Sequence, residues 1–77
     1  MGSEGLTFDR QSDRWRLDGR PLHCGDGLEI RVGGCWLPVR VEWEDRAGWV
    51  LLADDDTVRI LPTRRLPARP DPRGRHW

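Results

Sequence analysis

Lysine is absent from this chain: all thirteen of its basic residues other than histidine are arginine. A GC-rich coding bias explains that most simply. Selection for the bidentate carboxylate and phosphate contacts of guanidinium is the sharper alternative. Tyrosine is absent too and phenylalanine occurs once, so aromatic burial rests mainly on five tryptophans. Each can remove on the order of 150–250 Å² from water. No apolar run approaches the ~18 residues of a membrane-spanning helix, which argues against a helical membrane protein. The opening MGSEGLTF holds no signal-peptide core. A cytoplasmic location is expected, with Cys24 and Cys35 as reduced thiols. Apolar residues at i, i+3 and i+4 are also missing, so no helix longer than one turn is expected.

What is present reads as strands. LEIRV (28–32) and CWLPVRVEW (35–43) both alternate, and Gly33-Gly34 between them is a two-residue hairpin signal, because the favoured primed turns need positive φ. Pairing Val32 with Cys35 sets Ile30 against Leu37 and Leu28 against Val39, and puts Arg31 with Trp36 and Glu29 with Pro38 on the other face. A slip of one residue would bury Glu29 and Arg31, so the register is well specified. The same test pairs Val41 with Leu51 and Trp43 with Trp49 around the loop 44–48. It pairs Leu51 with Val58 and Trp49 with Ile60 around Asp54-Asp55, and Leu6 with Leu17 and Phe8 with Trp15 around Gln11-Ser12. Asp9–Arg14 and Arg10–Asp13 become cross-strand ion pairs. Pro38 inside a strand places that stretch at an edge, bulge or bend, and Gly25-Asp26-Gly27 is a sharp turn into the strand at Leu28.

The expected fold is all-β: a five- or six-stranded antiparallel meander curling into a small barrel over residues 1–61, since closure removes open edges. Leu17, Leu28, Ile30, Leu37, Val39, Val41, Leu51, Val58 and Ile60 should face inward, with Cys35 as a small core residue beside Val32. Residues 62–77 hold four prolines and five arginines and are expected to form a disordered tail. Net charge is zero, but 1–61 carry eight Arg against twelve acids, whereas 62–77 carry five Arg against Asp71 alone. The result is an acidic body with a basic tail.

The run "LDGRPLHCGDGLEIRVGGCWLPVRVEW", followed by "GWVLL" and "TVRI", resembles a family of short, uncharacterised bacterial proteins classed as a domain of unknown function. Gly25-Asp26, Trp36, Arg40-Val41-Glu42 and Val58-Arg59-Ile60 carry the likeness, which spans about residues 14–60. The resemblance implies a small SH3-like barrel, often found among mobile-element genes, and brings no activity with it. Members often have an aromatic pair where this chain has Trp49-Val50, and His23-Cys24 is not a fixed feature of them.

Chemistry is sparse. His23 and Cys24 are adjacent, so on an extended chain they point to opposite faces and suit mutual activation poorly. Cys24, Cys35, His23 and His76 lack Cys-x-x-Cys or His-x₃₋₅-His spacing. Asp54-Asp55-Asp56 reads as a solvated turn rather than a cation clasp. Catalysis, a cofactor, a metal and a small-molecule substrate are therefore not expected. Two binding readings stay open. In one, Arg64, Arg65, Arg69, Arg73 and Arg75 pair nucleic-acid phosphates while Trp36, flanked by Arg31 and Arg40, stacks bases. In the other, the domain is an adaptor for a partner protein or peptide.

Overall fold

A computed structural model of the chain describes residues 5–53 and 55–71. It contains eight strands and, among the described residues, no helix: β1 (Thr7–Asp9), β2 (Arg14–Leu17), β3 (Arg20–Pro21), β4 (Gly27–Val32), β5 (Cys35–Glu44), β6 (Gly48–Ala53), β7 (Val58–Ile60) and β8 (Ala68–Pro70). They form two antiparallel sheets, β1-β2-β3 and β7-β6-β5-β4-β8.

The central hairpin follows the alternation residue for residue. Gly33 and Gly34 adopt positive φ, and Val32 faces Cys35, Ile30 faces Leu37 and Leu28 faces Val39, with Arg31 opposite Trp36 and Glu29 opposite Pro38. β5 pairs with β6 only from Arg40 onward. Among the described residues, Pro38 lies ahead of the Arg40–Glu44 stretch that pairs with β6. Val41–Leu51 and Trp43–Trp49 pair as expected, as does Phe8–Trp15. Asp9 and Arg14 are opposite in backbone register, but the Asp9 carboxylate pairs with Arg16 at 3.4 Å instead, and Arg10–Asp13 forms no ion pair among the described residues.

Four further expectations need correction. The sheets do not close into a barrel, and there are eight strands rather than five or six. The first sheet ends at β3, a two-residue strand containing Pro21; the chain then turns at Gly25, and the free edge of β4 is taken by β8. The β6–β7 register is shifted by two, with Leu51 opposite Ile60 and Ala53 opposite Val58. The turn is longer than expected because Asp55 and Asp56 both sit at positive φ, a conformation that Asp tolerates through local hydrogen bonding. Val58 is consequently exposed on an edge strand rather than inside. Cys35 and Val32 sit at the hairpin tip and are exposed as well. Finally, 62–71 is no tail: Ala68 is buried, β8 pairs with Leu28–Ile30, and the backbone of Leu6 bonds both Arg65 and Leu66 at 2.7 and 3.0 Å. Residues 72–77, with Arg73, Arg75, His76 and Trp77, lie outside the described residues, as does Asp54.

The core between the sheets holds Leu17, Leu28, Ile30, Val39, Val41 and Leu51, with Leu37 and Ile60 packed partly buried against it. Leu6, Leu22, Ala53 and Ala68 complete it. They come from the chain ends, loops and the eighth strand, where no alternation marks them. Val50 is fully buried although it points away from that core: the Arg59–Glu44 ion pair joins β7 to β5 across it.

Candidate functional site

Four of the inward-facing rows of the core end in an aromatic ring. Val41 is followed on its face by Trp43, Leu51 is preceded by Trp49, Leu17 by Trp15, and Leu6 is followed by Phe8. The rings meet edge to face: Phe8 and Trp15 at 5.2 Å between centroids, Trp43 and Trp49 at 5.1 Å. An open groove of about 380 Å³ runs over the three tryptophans Trp15, Trp43 and Trp49. Its walls are Trp15, Trp43, Trp49, Leu61 and Pro62, and among the described residues the one ionisable side chain lining it is that of Asp13.

The groove is held from behind. The indole N–H of Trp49 donates to the Asp13 carbonyl at 3.0 Å, and the Arg14 guanidinium stands 5.2 Å from the Trp49 ring centroid. Arg14 in turn donates to the Leu22 carbonyl at 2.7 Å. Trp49 is thus fixed by a hydrogen bond, a cation–π contact and a T-shaped neighbour. Trp43 has one side against Trp49 and Gly48 and remains 48% exposed, and Leu61 is 63% exposed. An exposed large apolar cluster beside polar edges is the usual mark of a contact surface.

The patch anticipated from the sequence is only partly assembled. Trp36 and Arg31 are opposite one another on the outer face of the larger sheet, and Arg69 reaches over Trp36, 4.3 Å from the ring centroid. Arg69 also bonds the Glu29 carboxylate at 2.7 Å, so the ring is half-buried under a guanidinium that is already neutralised. Arg40 lies four residues further along β5, about 13 Å by strand rise. It is held by Glu42 at 2.5 Å and Asp56 at 3.0 Å; these contacts, Glu42 first, raise its pKa above the ordinary arginine value. Arg64 and Arg65 are exposed, in the turn whose backbone is tied to Leu6.

The aromatic groove was not assembled as a site by sequence reasoning, although Phe8–Trp15 and Trp43–Trp49 were both read as pairs. The available signal was positional: both pairs sit next to the turn of their hairpin, which brings them to one end. Among the described residues no cluster of three or more metal-ligating side chains occurs. Asp26 is occupied structurally, accepting from the His23 backbone N–H at 2.8 Å in the turn before β4.

The model of a family described as Domain of unknown function (DUF5348) matches residues 4–69 of the chain. That match runs through Ala68 and Arg69 of β8, in keeping with a domain that extends past residue 61. No curated protein and no solved structure matches the chain.

Proposed function

The chain belongs to this family of unknown function, and from that premise we propose that it is a protein-binding module whose Trp15–Trp43–Trp49 groove takes an extended, proline-containing peptide of a partner protein. The observation that carries the reading is the groove's wall chemistry: three tryptophans, Leu61 and Pro62, with Asp13 the one ionisable residue among the described residues that line it. Flat aromatic walls accept pyrrolidine rings, and a polyproline-like segment loses little conformational entropy on docking. An acidic lining residue favours a peptide carrying Arg or Lys and disfavours a phosphate backbone. The role proposed is binding rather than catalysis.

The nucleic-acid reading has weaker support. Arg69 and Arg40, two of its intended phosphate or base contacts, are each committed to carboxylates, and desolvating them would sacrifice those pairs. Arg31, Arg64 and Arg65 form no ion pair among the described residues and remain its best candidates.

The SH3-like architecture implied by the resemblance belongs to the same proposal, supported by the short antiparallel strands in two sheets; the bacterial origin and mobile-element setting belong to it through the resemblance alone. A cytoplasmic location belongs to it too: no described helix is long and apolar enough to cross a membrane, and Cys24 and Cys35 are exposed and unbridged.

Titration with a polyproline decamer carrying one Arg, and separately with oligothymidylate, tests the reading by tryptophan fluorescence. Peptide binding that is lost in Trp43→Ala supports the groove. Oligothymidylate binding without peptide binding transfers the role to nucleic acid.

A further inference from the structure

The two sheets have four edge strands, and three of them are blunted or occupied. β3 contains Pro21; β8 contains Pro70 and follows Pro67; and the chain entering β1 has the backbone of Leu6 bonded on both groups to 65–66. Proline and covering chain are the usual ways a sheet keeps an edge from pairing. β7 has neither within it. Beyond its ladder with β6, Arg59, Ile60 and Leu61 make no backbone hydrogen bond among the described residues. Among the described residues, three of the four exposed large apolar side chains, Trp43, Val58 and Leu61, lie on this edge or in the groove it leads to.

The two ends of the edge differ chemically. β7 starts at the turn bearing Asp55 and Asp56, both exposed. Asp56 is paired with Arg40, and Asp55 has no ion pair among the described residues. β7 ends at Leu61 and Pro62 in the wall of the tryptophan groove. From residue 62 back to residue 56 an extended chain spans about 20 Å.

We propose that β7 is the docking edge of this module: an extended segment of a partner protein adds to it as an antiparallel strand. Its proline or apolar N-terminal residues enter the Trp15–Trp43–Trp49 groove, and a basic residue about five positions later faces Asp55. The occupant follows from the charge and shape at the two ends. The edge supplies main-chain hydrogen bonds and the groove supplies side-chain selection, the division of labour in strand-addition recognition. Antiparallel pairing fixes the order of the two anchors, because β7 itself runs from the acidic turn to the groove. The inference rests on the groove reading above and adds to it the edge, the direction and the basic anchor.

The probe is a synthetic peptide, acetyl-PPVTVTR-amide, with three comparators: the reversed sequence RTVTVPP, and two versions of the parent N-methylated at alternate backbone positions, so that one of them removes the edge-facing N–H groups. Nuclear magnetic resonance titration of the intact chain follows the amides of Val58–Leu61 and the tryptophan indoles. The expected result is that the parent shifts both sets and slows exchange at the β7 edge. One N-methylated peptide should bind at least tenfold more weakly, the other nearly as well, and the reversed peptide at least fivefold more weakly. Equal binding by both N-methylated peptides overturns strand addition while leaving the groove reading standing. Equal binding by the reversed peptide overturns the direction. Parent binding that survives both Trp43→Ala and Leu61→Ser, two exposed positions whose replacement should leave the fold intact, overturns the groove reading and this one together; so does no binding by the parent. Self-association of the chain in sedimentation experiments, mapped by the same amides and competing with the peptide, would make the occupant a second copy and overturn the partner assignment.

Discussion

Arg69 stands over Trp36, its guanidinium carbon 4.3 Å from the ring centroid, while its nitrogens bond the Glu29 carboxylate at 2.7 Å. One side chain thereby joins the eighth strand to the fourth and fifth. Glu29 is only 8% exposed, so removing its partner strands a nearly buried carboxylate. Arg69→Ala should cost about 1–2 kcal/mol, the range for a charge-assisted hydrogen bond with a half-exposed partner. Urea denaturation reads it. A double-mutant cycle with Glu29→Gln should show coupling, since the two groups share one contact. Trp36 emission should shift as its ring becomes wetter.

The same geometry decides the fate of a truncated chain. Ending the protein after Arg64 removes the Leu66 contact with the core, the buried Ala68 and both backbone bonds to Leu6. A loss of about 3 kcal/mol or more is expected, a large part of the stability of so small a domain. Limited proteolysis of the intact chain should accordingly spare the bonds between residues 62 and 71.

Much of the fold is legible in the residue pattern, and the failures have a common physical origin. The β4–β5 register is fixed by local information: two glycines, and an alternation whose one-residue slip would bury charge. β8 carries no such mark. It is three residues long between prolines, and what holds it is Glu29, forty positions away. The low apolar content of 62–71 reads as disorder because its stabilising partners are elsewhere in the chain. The β6–β7 shift arises in a turn where Asp55 and Asp56 take a backbone conformation for which glycine is the usual signal. As for the site, Trp36 stands out in the sequence because its strand face is shared with Arg31 and Arg40, yet the fold half-covers it with Arg69. Trp43 and Trp49 looked like ordinary inner residues, and their place at the open end of the core becomes visible only when the two sheets are packed.

Gly5 is a position where replacement should be severe. Its φ is +90°, and a Cβ built there would stand 2.5 Å from the Leu66 carbonyl oxygen. The clash is with backbone, which cannot rotate away. Gly5→Ala should lower stability by about 2 kcal/mol or more, combining the left-handed penalty with displacement of the 65–66 segment. Thermal melting checks it, and Gly19→Ala is the control: also at positive φ but with nothing within 4 Å, it should show the backbone penalty alone.

Asp9 gives the chain a small acid-limb dependence. Its carboxyl titrates below the usual aspartate value of 3.8, chiefly because the Ser12 side chain and then the Gln11 backbone N–H bond its charged form. A depressed folded-state pKa contributes stability that is present above the unfolded value and lost as pH falls through the folded one. Asp9→Asn should therefore be less stable than the parent at pH 7, with the gap narrowing below pH about 4. The group is exposed, so the effect should be small. Denaturation midpoints of both proteins at pH 7 and pH 2.5 measure it, and a gap that widens in acid would contradict the assignment.

The two groove tryptophans should separate by function. Trp49 is bonded to the Asp13 carbonyl, packed against Arg14 and Trp43, and partly buried against the core. Trp49→Ala removes all of these and should destabilise by about 3 kcal/mol, the lower end for deleting a large aromatic. Trp43 is 48% exposed at the groove's outer wall, so Trp43→Ala should cost no more than about 1 kcal/mol. For peptide binding the order reverses in kind. Trp43→Ala should weaken the proline-peptide complex by about 2 kcal/mol, the loss expected for an interface anchor, in a protein that remains folded at the assay temperature. Trp49→Phe keeps ring packing but deletes the N–H donor; it should leave the Asp13 carbonyl unpaired and loosen the β1–β2 turn with a modest loss of stability. The measurement is a paired one: urea midpoint and peptide affinity on the same preparations. If Trp43→Ala lowered stability and left affinity unchanged, the outer indole would be a cover for the core rather than a contact for a partner.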